Sequence, residues 1–172
     1  MARKRRSLLI LASVVPAISA ACSGPSLSWL DHLAIYSAAL RAAGDSLLTP
    51  GSSARLLLDP RKLPPRFVGN TPGQTGGGEL DSALVRRLPV AGVCVPVGAA
   101  RRCAADQRGL AAQVSAITRD ESGLASVWVQ VAPVQAAGDN TSLAGTPVLF
   151  HYELQKLNNE WSIVRVSRGL PG

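Results

Sequence analysis

Three cysteines and two histidines carry most of the reactive chemistry in this 172-residue sequence: Cys22, Cys94, Cys103, His32 and His151. A thiol can be acylated, form a disulfide or bind a metal, and an imidazole can act as a general base or a metal ligand. Which chemistry is open to each residue depends on its spacing from the others and on the compartment in which the protein matures.

The spacing of Cys94 and Cys103 favours a structural disulfide. Eight residues separate them across a predicted turn at residues 98–100, so a hairpin-like path would bring their Cα atoms within the roughly 4.4–6.8 Å that a disulfide needs. A redox motif would place two residues between the cysteines, and a zinc site would need further ligands nearby. Neither pattern is present, and we predict a disulfide that stabilises the fold by about 2–3 kcal/mol.

The N-terminal residues have the composition of an export signal. Arg3 to Arg6 are basic, residues 7–15 are largely apolar, and Pro16 and small residues lead to Cys22. A helix over residues 8–21 would span only about 21 Å, which is short of the roughly 30 Å hydrocarbon core of a bilayer. We therefore predict that residues 1–21 are a cleaved signal peptide and that the protein is exported.

The residues Ser19-Ala20-Ala21-Cys22 resemble a bacterial lipobox. The resemblance implies that Cys22 is acylated and becomes the mature N-terminus, with membrane lipid as a partner and residues 22–25 as a short tether. Acylation would also account for the cysteine that remains if Cys94 and Cys103 pair. The alternative is ordinary cleavage at the alanines, which would give a soluble periplasmic or secreted protein. Residues 4–9 are also similar to a twin-arginine signal, so the export route stays open.

The net charge of +7 does not indicate a nucleic-acid-binding protein. Four of the 18 basic residues belong to the predicted leader, which leaves 14 against 11 acidic residues. So small an excess, mixed in sign along the chain, provides little attraction to phosphate.

The sequence contains no recognisable catalytic or cofactor motif. There is no Gly-x-Ser-x-Gly segment, and the glycine-rich residues 73–78 are followed by Glu79 rather than by the lysine of a phosphate-binding loop. His32 and His151 lack neighbours at metal-ligand spacing; Asp31 and Glu153 are the acidic residues beside which either histidine could act as a general base. We expect no catalytic residue, no metal and no cofactor.

The first half of the mature chain predicts two helices and one strand. An apolar stripe predicts a helix over residues 27–43, with Ser28 and Asp31 forming a capping box and Gly44 ending it. The stripe comprises Trp29, Leu33, Tyr36, Leu40 and Ala43. Residues 54–59 predict a strand, residues 60–78 a mobile loop rich in proline and glycine, and residues 79–88 a short helix.

The second half predicts a sheet. Strand patterns cover residues 90–97, more weakly 112–119, then 126–131, 148–155 and 161–166, with a tight turn at 157–160. These elements predict a single α+β domain over residues 26–172, in which an N-terminal amphipathic helix packs on an antiparallel, mostly meander sheet. Each of the three tryptophans lies on a predicted amphipathic element, so we expect them to pack in the core or on the sheet.

The last hairpin consists of residues 152–157, Tyr-Glu-Leu-Gln-Lys-Leu, and residues 160–164, Glu-Trp-Ser-Ile-Val. Together with the order of the elements, these residues resemble the nuclear transport factor 2-like superfamily. The resemblance implies a pocket between the first helix and a curved sheet, but it identifies no site residue. The sequence thus favours a non-enzymatic binding or structural domain of the cell envelope, with an unknown partner. The alternative is a small-molecule-binding or hydrolytic pocket domain.

Overall fold

The computed structural model describes residues 26–51, 54–64, 77–94, 109–134 and 146–169. The predicted signal peptide, Cys22 with its tether, and Cys103 lie outside these ranges. The described elements, in chain order, are α1 (Trp29–Leu47), β1 (Arg55–Leu58), α2 (Ser82–Val85), β2 (Gly92–Val93), β3 (Gly109–Val114), β4 (Thr118–Arg119), β5 (Ala125–Pro133), β6 (Val148–Leu157) and β7 (Glu160–Gly169).

Helix α1 begins at Trp29, two residues after the predicted start and directly after the predicted cap Ser28, and it ends later than predicted. The Ser28 side chain accepts a hydrogen bond from the Asp31 N–H, and the Asp31 carboxylate accepts one from the Ser28 N–H, so the predicted capping box is present. Gly44, however, does not end the helix. Its carbonyl accepts from the Leu48 N–H at 2.8 Å, and its buried Cα faces Leu56 of β1. The helix therefore continues through Gly44 to Leu47, and a Cβ atom at position 44 would make only an ordinary van der Waals contact with Leu56.

The sheet is mixed, so the prediction of an antiparallel sheet is wrong for its first strands. The strand order is β2-β1-β3-β5-β6-β7, with β4 also paired to β5. Strand β1 runs parallel to both β2 and β3, whereas β3, β5, β6 and β7 are antiparallel neighbours. Side-chain alternation identifies a strand, but the pattern is the same in parallel and antiparallel sheets. The direction of β1 relative to its neighbours therefore depends on which strands it pairs with.

One predicted element is much shorter than expected, and another is described only in part, because residues 95–97 lie outside the described residues. The helix predicted over residues 79–88 is reduced to the four residues of α2, capped by the Asp81 carboxylate, which accepts from the Ala83 N–H at 2.6 Å. The strand predicted over residues 90–97 is described only as Gly92–Val93. The apolar residues of the predicted helix, Leu80, Leu84 and Leu88, are nevertheless buried. The spacing of these leucines therefore reflects the burial of their side chains, and this burial does not require a long helix.

Both ends of the predicted mobile loop are anchored to the domain. Arg61 forms a β-bridge with Glu79, and its guanidinium donates to both oxygens of the buried Asp59 at 3.0 and 2.8 Å. Leu63 is 2% exposed, and its N–H donates to the Val114 carbonyl. The expectation of a mobile loop is therefore wrong at its two ends, while residues 65–76 lie outside the described residues.

The β6–β7 hairpin closes as the sequence predicts. Asn158 and Asn159 occupy the turn with φ values of 50° and 67°, a conformation that asparagine adopts more readily than most residues. The two strands pair along most of their length, with one register shift between Glu153 and Leu154. Strands β6 and β7 form more residue pairs than any other two strands in the described residues, although the register shift interrupts them.

The sheet has two chemically different faces. One face, here called the covered face, packs against α1 and forms the main core; its strand residues include Leu56, Leu58, Ala112, Val114, Val127, Val129, Val131, Phe150, Tyr152 and Leu154. The opposite face, here called the outer face, is formed by the alternating residues Leu57, Ala111, Gln113, Ser126, Trp128, Gln130, Leu149, His151, Glu153, Arg165, Ser167 and Gly169. The same strands therefore present an apolar side and a largely polar side.

Candidate functional site

The centre of the outer face is a group formed by Ser126, Trp128 and His151. Trp128 lies directly opposite His151 across β5 and β6, and the two rings stack with centroids 4.4 Å apart and planes inclined by 21°. Ser126, two residues before Trp128, shares a hydrogen bond between its Oγ and His151 Nε2. Alternation along β5 places both side chains on the face of His151, which is opposite the face of Phe150 and Tyr152.

The environment of His151 keeps its imidazole neutral at pH 7. Burial lowers the pKa of His151 from its ordinary value of 6.5, and the positive charge of Arg165 lowers it further, against the opposing effect of Glu153. A neutral imidazole has one nitrogen that accepts a hydrogen bond and one that donates. His151 Nε2 can therefore accept a hydrogen bond from the Ser126 hydroxyl or donate one to its oxygen.

Glu153 lies on the outer face beside His151, but its carboxylate is paired elsewhere. It lies opposite Arg165 in the β6–β7 pairing, and Arg165 Nη1 approaches its two oxygens at 3.2 and 3.5 Å. A serine–histidine–acid triad needs the acid on the second nitrogen of the imidazole. Among the described residues, no carboxylate is hydrogen-bonded to the second imidazole nitrogen of His151. Ser126 and His151 therefore form a pair and not a triad within that part of the chain.

Next to this group, two glutamines form the least expected feature of the outer face. Gln113 on β3 and Gln130 on β5 lie directly opposite each other and are only 7% and 3% exposed. Within the described part of the chain, neither Oε1 atom has a hydrogen-bond partner. Buried polar atoms in native proteins are nearly always paired, so an unpaired one calls for an explanation such as a ligand.

Gly169 brings the end of β7 close to the same group. A Cβ atom added at this position would lie 3.0 Å from Trp128 Cζ3 and 3.1 Å from Leu149 Cδ2. A larger residue would therefore push against the tryptophan that stacks on His151. Sequence reasoning did not select Gln113, Gln130 or Gly169. The signal that could have found Gln130 is the run of Ser126, Trp128 and Gln130 alternating with buried valines.

A concavity lies beside the C-terminal half of α1. It has a volume of about 720 Å³ and is lined by Leu40, Arg41, Gly44, Asp45, Leu48, Thr49, Pro50, Ala54, Arg55, Leu56, Pro89 and Ala91. It occupies part of the region where a pocket between helix and sheet was expected, but neither histidine lines it. Its three charged residues, Arg41, Asp45 and Arg55, do not form an arrangement with evident chemistry.

The remaining predicted site residues are only partly described. Cys94 is 1% exposed and packs against Leu57. Because Cys103 lies outside the described residues, its pairing with Cys94 stays a prediction, as does acylation of Cys22. His32 lies on α1 with Nδ1 2.9 Å from the Ser28 carbonyl oxygen. The described residues contain no group of three potential metal ligands.

The tryptophans occupy three different environments. Trp128 packs on the sheet and Trp161 is partly buried, with Nε1 donating to Asp31 Oδ1 at 2.8 Å. Trp29 is 38% exposed, so the prediction that it belongs to the core stripe of α1 is wrong. It lies in the first turn of α1, and the Arg87 guanidinium lies 5.5 Å from its ring centroid.

Comparison with known proteins assigns no function. No family model, curated protein or solved structure matches this chain. The similarities to a lipobox and to the nuclear transport factor 2-like superfamily therefore stay predictions. Among the described residues, no helix is both long and apolar enough to cross a bilayer.

Proposed function

We propose that this protein is a cell-envelope lipoprotein, acylated at Cys22, whose folded domain binds a polar ligand on its outer face without catalysing a reaction. The leader residues and the lipobox-like Ser19 to Cys22 support the envelope location. The binding role rests on one observation, which is the pair of buried amide oxygens of Gln113 and Gln130 without partners in the described residues.

The chemistry of these oxygens defines the class of ligand. A buried acceptor left unpaired costs about 1–3 kcal/mol, and two of them side by side double that penalty. An amide oxygen accepts hydrogen bonds, so the matching ligand carries N–H or O–H donors about one strand spacing apart. Trp128, on the same strand as Gln130, adds an aromatic surface on which a ring or planar group can stack. Sugars and peptide fragments have both properties.

Native mass spectrometry of protein purified from its own envelope tests the binding role. We expect the wild-type protein to retain a small molecule whose mass adduct is lost in Gln113→Leu and Gln130→Leu. Gln155→Leu is the matched control, because Gln155 is an exposed glutamine of the same sheet. An adduct that survives both leucine substitutions, or its absence from the wild type, contradicts binding at this face.

The envelope location has its own experiment. Cells labelled with palmitate should incorporate the label into the wild-type protein, and the membrane fraction should contain it. In Cys22→Ser, we expect both the label and the membrane association to disappear. Label that persists in Cys22→Ser would show that another residue is acylated and would refute this part of the proposal.

A hydrolytic function is the second candidate, and the hydrogen bond between Ser126 and His151 is the observation that favours it. A neutral imidazole bonded to a serine hydroxyl is the first requirement of a serine nucleophile. A fluorophosphonate probe tests this candidate, since it labels activated serines covalently. Labelling of the wild type that is lost in both Ser126→Ala and His151→Gln, but kept in the exposed control Ser162→Ala, would establish it. Absence of labelling refutes it.

A further inference from the structure

One end of the molecule exposes large apolar side chains close to the predicted lipid anchor. Trp29 and Leu30 open α1 and are 38% and 67% exposed, and Leu157, at the β6–β7 turn, is 51% exposed. These three residues are here called the end patch. Large apolar side chains exposed together mark interaction surfaces more often than isolated ones do.

The end patch is held together by contacts of Asp31. Its Oδ1 accepts from Lys156 Nζ and from Trp161 Nε1, each at 2.8 Å, which joins the first turn of α1 to the β6–β7 hairpin. Lys156 precedes Leu157 directly. The helix start and the hairpin turn therefore form a single end of the domain.

Cations border the end patch. The Arg87 guanidinium lies over the Trp29 ring, Arg86 is exposed beside it in the chain, and the side chain of Lys156 is 38% exposed. Tryptophan with arginine or lysine at its border is the composition that favours the interface between headgroups and acyl chains. The lack of a row of cations along α1 argues against the helix lying flat on the bilayer, so only its first turn is suited to the contact.

The length of the tether determines what this end can reach. Residues 22–25 precede the first described residue, Ser26, so Cys22 lies at most about 14 Å from it at about 3.5 Å per residue. Trp29 follows three residues later. An acyl chain on Cys22 would therefore keep the end patch within a few residues' length of the bilayer. Even a weak affinity of the end patch for the bilayer is then effective, because the anchored protein is already held at that surface.

We propose that the end patch docks on the surface of the bilayer that holds the acylated Cys22, with Trp29 and Leu30 entering the headgroup region and Arg86 and Arg87 facing anionic headgroups. This inference rests on the proposed acylation of Cys22. Docking gives the domain a fixed orientation on the membrane, because the anchor and the end patch hold it at two points rather than one.

Fluorescence quenching tests the docking directly. The mature protein is reconstituted into vesicles of phosphatidylethanolamine and phosphatidylglycerol that contain brominated acyl chains. We expect these lipids to quench part of the tryptophan emission of the wild type, and we expect that quenched part to be absent in Trp29→Phe. Leu30→Glu should lose the quenching too. Val93→Glu, at the opposite edge of the sheet, alters a residue of similar exposure to Trp29 and should keep it.

A second measurement examines the cations without the anchor. The mature chain carrying Cys22→Ser is sedimented with vesicles containing phosphatidylglycerol, and Arg87→Gln in that background should bind about fivefold more weakly. Equal binding to vesicles of phosphatidylcholine alone would refute the role of anionic headgroups. Concentration-dependent dimerisation of the Cys22→Ser chain that Leu30→Glu abolishes would assign the end patch to a second copy instead and overturn the proposal.

Failure of docking and failure of acylation give different results. Intact mass of the reconstituted protein reports acylation independently of the fluorescence. An acylated, vesicle-bound protein without quenching of Trp29 refutes docking and leaves the anchor intact. If the mass shows no acylation, the mature chain is coupled through its Cys22 thiol to a maleimide lipid, and quenching in that sample then decides the docking alone.

Discussion

The covered and outer faces of the sheet are made by the same strands and differ in almost every chemical respect. On the covered face, Phe150 and Tyr152 pack under α1 with their rings 5.9 Å apart. On the outer face, His151, between them in sequence, stacks on Trp128 and bonds to Ser126. Because successive side chains point to opposite sides, one strand can stabilise the fold and present polar groups independently. Residues of the outer face can therefore change without altering the core that the same strands form on the covered face.

Among the buried side chains of the covered face, Tyr152 carries a polar group. The hydroxyl of Tyr152 is buried and has no hydrogen-bond partner within the described residues, and burial raises the pKa of Tyr152 to about 12. The Tyr36 hydroxyl, by contrast, donates to the Ser115 carbonyl at 3.0 Å. Unpaired oxygens thus occur on both faces, but only the outer face places two of them side by side.

The largest effect should come from the covered face. Phe150→Ala should lower the free energy of unfolding by about 3–5 kcal/mol, because a ring that is 1% exposed is removed and leaves a cavity. Leu157→Ala, at the exposed turn, should change it by less than about 0.5 kcal/mol. Urea unfolding at neutral pH measures both. A loss below about 1 kcal/mol for Phe150→Ala would contradict a filled core under α1.

The predicted disulfide should come next, and it supports the outer face, since Cys94 packs against Leu57. In a Cys22→Ser background, alkylation should label neither remaining cysteine before reduction and both after it. Reduction should lower the free energy of unfolding by about 2–3 kcal/mol. Full labelling of Cys103 without reduction would show that Cys94 does not pair with it.

Asp31 gives an intermediate effect that depends on pH. Hydrogen bonds from Lys156, Trp161 and Ser28 hold the pKa of the Asp31 carboxyl well below its ordinary value of 3.8. The ionised carboxylate therefore stabilises the fold above the ordinary value, and this contribution is lost as the pH falls through the lower folded pKa. Asp31→Asn should cost about 1–2 kcal/mol at pH 7 through the lost cap and ion pair.

The same variant provides a sharp control in acid. The difference in unfolding free energy between wild type and Asp31→Asn should be constant above about pH 5 and shrink as the pH falls below the ordinary value. Urea unfolding from pH 7 to pH 2 follows this difference. A difference that does not change with pH would mean that Asp31 contributes only through neutral hydrogen bonds.

The smallest effect should have the opposite sign and come from the outer face. Gln130→Leu should leave the free energy of unfolding unchanged or raise it by up to about 1 kcal/mol in ligand-free protein, because an unpaired buried oxygen is replaced by methyl groups. Thermal unfolding of ligand-free protein measures this change. A clear destabilisation would show that the Gln130 oxygen is paired in the folded protein. The covered and outer faces would then differ less in their contribution to stability than the described contacts indicate.

Local features were predictable and distant contacts were not. The capping box of Ser28 and Asp31 and the turn at Asn158 and Asn159 follow from residues within four positions of each other, and both appear as predicted. The end of α1 was missed because glycine is common at helix ends without requiring one, and Gly44 instead lies within the helix, where its carbonyl accepts from the Leu48 N–H. The glutamine pair was missed because Gln113 and Gln130 become neighbours only when β3 pairs with β5.

Side-chain periodicity and local hydrogen bonding allowed the sequence alone to determine an α+β chain, the start of α1, the final hairpin and the positions of the apolar residues. Tertiary structure decided the parallel direction of β1, the length of α1 and the meeting of Gln113, Gln130, Trp128 and His151 on one face. The physical reason is that alternation places a side chain on a face, whereas only the pairing of strands brings it next to residues from elsewhere in the chain.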